Sequence, residues 1–266
     1  MALEGPVLVI SGPGSGKTKC LTHRIANLIA SDIPGDSILA ITFTNKAAAE
    51  IKERMGALLG GNGRLPAGRQ GFPTLGTFHS ICVRILRREI GILGYSDRFT
   101  IADTDDQRSL MRQVLADLEI DSKKFSPQTL LNKISSIKTE LIEPDNYHPS
   151  GFTEQIVARA YIKYQSELKR MNALDFDDLI ILTVKLFREH PDVLERYQNR
   201  WKHILVDEYQ DTSHDQYTLI KMLASQSRNL FCIGDDAQSI YRFRDADIRN
   251  ILNFQKDYPE AKVILL

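Results

Sequence analysis

"SGPGSGKT", residues 11–18, follows the apolar run "PVLVI" (6–10) and opens a segment with helical periodicity, "GKTKCLTHRIANLIA". A short apolar run feeding a glycine cluster and then a helix is the pattern of a buried parallel strand entering a crossover. Glycines let backbone N–H groups converge on phosphate oxygens, and a helix amino terminus adds the positive end of its dipole. Gly12, Pro13, Gly14, Ser15 and Gly16 are therefore expected to cradle the phosphates of a nucleotide. Lys17 is placed to reach the β- and γ-phosphates, and Thr18 to ligate Mg²⁺. The strict GxxxxGK[ST] pattern has Gly where Ser11 stands, a position that accepts a small residue if the turn closes through Gly12 and Gly14.

The flanking sequence continues in strand–helix alternation. "SILAITF" (37–43) and "TLGTF" (74–78) read as strands, and "NKAAAEIKERMGALL" (45–59) and "HSICVRILRREIG" as helices. Between them lies a Gly-, Pro- and Arg-rich loop, 60–73, expected to be a surface insertion. From 89 to 199 the texture is helical, with Asp, Ser or Thr at the segment starts and almost no strand candidates. Strands resume at "HILVDE" (203–208), "NLFCIGD" (229–235) and "KVILL" (262–266). The expectation is an α/β fold with a parallel sheet built from 1–88 and 200–266, interrupted by an all-helical domain at 89–199.

Composition sets the broad class. The 266 residues are 42% hydrophobic and 26% charged, ordinary for a soluble globular protein. Lys+Arg and Asp+Glu are both 34, so net charge neither requires nor excludes a polyanion partner. Cys20, Cys82 and Cys232 lie far apart without a CxxC pair, which reads as reduced thiols in a cytoplasmic setting. No apolar run approaches a membrane span, and "MALEGPVLVIS" lacks the basic start of an export signal.

A phosphate loop needs a carboxylate partner, and "ILVDEYQD" supplies one at the carboxyl end of a strand, where ligands bind in open α/β sheets. Asp207 is expected to hold Mg²⁺, and Glu208 to orient and deprotonate an attacking water. Together these residues predict ATP hydrolysis. Asp175, Asp177 and Asp178 are better read as a helix cap than as a metal cluster. His190, His203 and His214 lack ligand spacing, and Cys232 reads as core.

With these motifs in place, "AITFTNKAA" (40–48), "GTFHSICVRILR" (76–87), "VDEYQDTSHDQ" (206–216) and "IGDDAQSIYRFRDAD" (233–247), in this order after "SGPGSGKT", resemble the motor motifs of UvrD/Rep/PcrA-like superfamily I DNA helicases. "LTHRIANLI" and "MNALDFDDLI" (171–180) are similar to that family too. The resemblance implies a RecA-like P-loop NTPase sheet that binds ATP and Mg²⁺ against a second motor domain, with single-stranded DNA or a single/double-strand junction crossing both. It makes Arg24 a neighbour of the adenine ring and Gln238 a sensor of the γ-phosphate. Phe43, Tyr241 and Phe243 match positions whose rings meet bases, and His79 matches a DNA contact. Phe43 ends a strand and reads equally well as core. Asn45, opening a helix, either binds a DNA phosphate or is only a cap.

The residues support part of this without the resemblance. Aromatic faces stack on bases irrespective of sequence, at about 1–3 kcal/mol each. Arg242 and Arg244 can meet phosphates. Gln238 precedes Tyr241 by three positions, so one short segment can touch both nucleotide and strand, which would couple hydrolysis to movement.

The chain departs from the family pattern in three places. It begins too late to hold an upstream adenine-reading glutamine, Asp245 stands where the family has Gly, and nothing follows "KVILL" to supply the second motor domain. The implied activity is 3′→5′ translocation on single strands and duplex unwinding, with repair or replication proteins as partners. A nucleotide-gated DNA- or protein-binding module, or the start of a recombination helicase–nuclease, are the alternatives. The absence of a base-reading NKxD motif counts against a GTPase.

Overall fold

The computed structural model describes residues 3–12, 14–58, 71–235 and 254–266. Along the chain run β1 (Val7–Ile10), α1 (Lys17–Ala30), β2 (Ile38–Thr42), α2 (Asn45–Leu58), β3 (Thr74–Thr77) and α3 (Phe78–Glu89). There follow β4 (Thr100–Ile101), α4 (Thr104–Asp117), α5 (Pro127–Thr139), α6 (Phe152–Arg170), β5 (Ala173–Leu174), α7 (Phe176–Glu189) and α8 (Pro191–Arg200). The last elements are β6 (His203–Val206), α9 (His214–Ala224), β7 (Leu230–Gly234) and β8 (Lys262–Leu265). The chain divides into two compact units, 1–81 with 190–266, and 82–189.

The first unit is built on a six-stranded sheet in the order β3-β2-β6-β7-β1-β8, whose strand pairs are all parallel. β2, β6 and β7 are buried along their whole length, as strands covered by helices on both faces must be. On one face Val7, Val9, Ile38, Ala40, Leu205, Phe231 and Ile233 pack with Leu21, Ile25 and Leu28 of α1 and with Ile51 and Met55 of α2. Parallel strands bring all their carboxyl ends to one edge, so the turns after β1, β6 and β7 meet there although the sequence separates them widely.

The second unit is helical apart from the two-residue strands β4 and β5, which pair in parallel. Its core joins Met111 and Val114 of α4, Leu130 and Ile134 of α5, and Val157, Ala160, Tyr161 and Tyr164 of α6. α4 begins with a full capping box, Asp103 and Asp106 each accepting the other's backbone N–H. The α/β sheet with a helical insertion is thus the architecture of the molecule. The strands β4 and β5 are too short to leave a period in the sequence.

Candidate nucleotide site

The loop after β1 carries its bends on glycine. Gly14 has φ +75° and Gly16, which caps α1, has φ +90°, a region side chains with a Cβ avoid. Ser15 closes the turn by donating both its N–H and its hydroxyl to Gly12 O, at 3.3 and 2.7 Å. Ser11 is buried, and its N–H donates to Gly234 O at 2.9 Å. It therefore extends the β1–β7 ladder by one bond, and its backbone is not in the positive-φ region that would call for glycine. Pro13 lies outside the described residues.

Gly14, Gly16, Lys17, Thr18, Lys19, Arg54 and Glu208 line one cleft of about 380 Å³. The loop and the acid after β6 are therefore brought to the same space. Arg54 reaches it from α2, where it also pairs with Glu50.

The turn after β6 is unusual in its backbone. Asp207 N–H donates to Ile41 O at 3.0 Å, continuing the sheet, and the chain then turns at Glu208 with φ 48° and ψ 46°. A non-glycine residue in the left-handed region costs about 1–2 kcal/mol. Asp207 is buried, with Oδ1 accepting Glu208 N–H at 3.1 Å. Burial, reinforced by the Glu208 charge, pushes its carboxyl up to about 6. A buried carboxylate so disfavoured is a natural partner for a cation.

Two polar residues that the sequence reading passed over complete the site. Lys17 Nζ stands 2.9 Å from Oδ2 of Asp235, which is fully buried at the end of β7. Gln210 accepts Asp235 N–H on Oε1 at 2.9 Å and donates from Nε2 to Glu208 Oε2 at 2.9 Å. Asp235 was legible only as one acid of a polar cluster. The signal that could have singled it out is that it ends an apolar strand, the same position Asp207 holds after β6.

Arg24, expected beside the adenine ring, is not among the residues that line this cleft. It is buried two turns along α1, its Nη2 donates to Leu3 O at 3.0 Å, and its guanidinium lies 5.3 Å from the centre of the Phe231 ring. With Gly5, His203 and Asn229 it borders a small void at the amino ends of the strands, the edge opposite the loop. Position explains this. Arg24 lies one residue before Ile25 and four before Leu28, on the buried side of the helix.

Phe43, Asn45 and His79 gather at the carboxyl edge of β2 and β3, where Thr42 and Thr77 are in register. Phe43 is half-buried and meets Phe78 edge to face at 5.6 Å. Asn45 is exposed, and the cap of α2 is Thr44, whose Oγ1 accepts Ala47 N–H at 3.1 Å. His79 is half-buried, and burial lowers its pKa so that the ring is neutral at physiological pH. Gln238, Tyr241, Phe243 and Arg244 lie outside the described residues.

In the helical unit, the "LDFDDL" acids do form a cap. Asp175 and Asp178 accept each other's backbone N–H at 3.1 and 2.9 Å around the start of α7. The sequence reading missed their third partner, Lys138, which is buried and donates at 2.7 Å to each carboxylate. No group of three or more potential His, Cys, Asp or Glu ligands that could hold a metal occurs among the described residues.

The UvrD/REP helicase N-terminal domain matches residues 1–259. The chain belongs to the UvrD/REP helicase family. It is 50% identical over 266 residues to the "ATP-dependent DNA helicase PcrA" of Staphylococcus aureus, covering 99% of this chain and 36% of that protein. The PcrA helicases of Bacillus subtilis (strain 168) and Staphylococcus epidermidis are also 50% identical over 99% of the chain. The chain spans about a third of the length of these relatives. Membership of the UvrD/REP family accounts for the parallel sheet with its helical insertion. Among the described residues, no helix is long and apolar enough to cross a membrane.

Proposed function

We propose that this chain is the ATP-binding half of a motor that moves 3′→5′ on single-stranded DNA and unwinds duplex, working in the cytoplasm against a second motor domain. The observation that carries the reading is the single cleft shared by Lys17, Thr18 and Glu208, with Asp207 directly behind it in the chain. An ammonium, a hydroxyl and a carboxylate converging on a glycine-rich helix start is the equipment of phosphoryl hydrolysis.

In this reading the loop N–H groups and Lys17 bind the phosphates, and Glu208 accepts the proton of the attacking water. The Thr18 hydroxyl and the Asp207 carboxylate are hard oxygen donors suited to Mg²⁺, an ion that keeps waters and substrate phosphates as its other ligands. When bound, the ion would neutralise phosphate charge. Single-stranded DNA is assigned to the edge carrying Phe43, Asn45 and His79, and the family resemblance adds Tyr241, Phe243 and Arg244, which lie outside the described residues, as further DNA contacts. Gln238, three positions from Tyr241, relays the state of the γ-phosphate to that surface.

The test is ATP turnover by the full-length protein with and without a single-stranded oligonucleotide. Stimulation by DNA, lost in Glu208→Gln while nucleotide still binds, is the expected result. DNA binding with no change in turnover would leave a nucleotide-gated binding module, and the motor reading would fail. Tyr241→Ala should weaken single-strand affinity and spare ATP affinity.

A further inference from the structure

Gln210 is almost fully buried at 1% exposure, in the turn between β6 and α9, and is not among the residues that line the cleft. Its amide is nevertheless fully engaged on two sides. Oε1 accepts the backbone N–H of Asp235, and Nε2 donates to Oε2 of Glu208, with Asp211 Oδ2 a second acceptor at 3.3 Å. Only one amide orientation satisfies both neighbours, since an N–H needs an acceptor and a carboxylate needs a donor. The adjoining backbone is shaped for it. A Cβ on Gly234 would stand 2.8 Å from Gln210 Oε1, so glycine at the end of β7 lets the amide seat.

We infer that Gln210 is a positioning residue for hydrolysis, which aims the Glu208 carboxylate by fixing Oε2 and leaves Oε1 to the water. The inference rests on the reading of Glu208 as the base. The turn gives the reason such an aid is needed. Glu208 sits on a left-handed backbone, and its side chain has three rotatable bonds with which to miss the cleft. A carboxylate held on one oxygen by a buried donor loses most of that freedom before substrate arrives. The same amide grips the backbone of Asp235, whose carboxylate pairs with Lys17. Lys17, Asp235, Gln210 and Glu208 thereby form one unbroken line of polar contacts from the phosphate-binding cation to the base.

The test compares Gln210→Glu, which keeps the acceptor for Asp235 N–H and replaces the donor with a like charge, in the full-length protein with DNA present. The expected result is a kcat lower by about 10- to 100-fold, with KM and the affinity for a non-hydrolysable ATP analogue within about twofold. In a Glu208→Gln background the same substitution should leave the residual single-turnover rate unchanged, because the group it acts through is gone. An unchanged kcat, a rise in KM alone, or an equal loss in the Glu208→Gln background overturns the inference. If Gln210→Glu does not fold, Gln210→Met removes the donor without adding charge and carries the same outcomes. Turnover that survives Glu208→Gln overturns both readings. Turnover lost in Glu208→Gln but intact in Gln210→Glu overturns only the positioning role.

Discussion

Lys17 Nζ and Asp235 Oδ2 lie 2.9 Å apart, the ammonium one-tenth exposed and the carboxylate fully buried. The ammonium that a nucleotide needs is already engaged, so an incoming phosphate must compete with Asp235 for it. Truncating Lys17 also takes the ammonium from a buried carboxylate. Lys17→Ala should therefore abolish nucleotide binding and lower stability by about 3 kcal/mol, the usual cost of breaking a buried pair. Lys17→Met combined with Asp235→Asn should recover the stability and not the binding. Thermal melts with and without nucleotide distinguish the two effects, and equal nucleotide affinity for wild type and Lys17→Ala would contradict the site.

Asp207 gives the site a pH dependence. Its carboxyl is pushed to about 6 by burial and by Glu208, so below that pH it carries a proton where a cation would sit. Mg²⁺-dependent nucleotide affinity should fall as pH drops through 6, measured as Kd against pH at fixed Mg²⁺. Stability should move the other way. The folded state holds this proton more tightly than the unfolded chain, so its contribution is complete below the unfolded value near 4 and is lost as pH rises through 6. Asp207→Asn should thus stabilise the ligand-free protein at pH 7, by on the order of 2 kcal/mol, and make no difference below pH 4.

The left-handed backbone at Glu208 predicts opposed effects on stability and chemistry. Both Glu208→Gly and Glu208→Ala remove the acceptor of the Gln210 amide, so Glu208→Gly should be the more stable of the two by about 1 kcal/mol and should eliminate turnover. Glu208→Ala should eliminate turnover without that advantage, since alanine keeps the Cβ. If both variants are equally stable, the turn is not strained.

Lys138 offers a test away from the nucleotide. Removing it leaves Asp175 and Asp178 buried and adjacent, and Lys138→Met should cost the helical unit about 3–5 kcal/mol at neutral pH. Burial and the neighbouring Asp175 hold the Asp178 carboxyl up at about 6 even with the lysine present. The loss in Lys138→Met should therefore shrink as pH falls through 6 and Asp178 takes up a proton. A loss that is constant with pH would mean that packing, not charge, is what the lysine provides.

The sequence discloses what has a period or a fixed spacing. The strand before "SGPGSGKT", the acids after "ILV" and the helical stretch from 89 to 199 all announce themselves in this way. Contacts between segments far apart in sequence do not. Gln210 looks like a surface residue of an acidic turn until Gly234, 24 positions later, is seen beside it. Lys138 sits in "NKISSIKTE", which reads as solvated, although Leu130, Ile134 and Lys138 recur at helical spacing and place it on the buried stripe. Arg24 is the converse case. The resemblance sets it beside the adenine ring, and its spacing to Ile25 and Leu28 on α1 already places it on the buried side of the helix.

The pairing of β1 with β7 and β8 sets an order of assembly during synthesis. Residues near the start of the chain must wait for partners more than two hundred positions away, Gly5 reaching Asn229 across 224 residues. At about 5–20 residues per second the delay is on the order of 10 s or more. For that time a nascent apolar strand is left without its neighbours, while residues 82–189 have emerged whole and can close their own core. Residues 82–189 are thus free to mature before the strand that precedes them, and the phosphate loop acquires its shape only once Gly234, which accepts the Ser11 N–H, has left the ribosome.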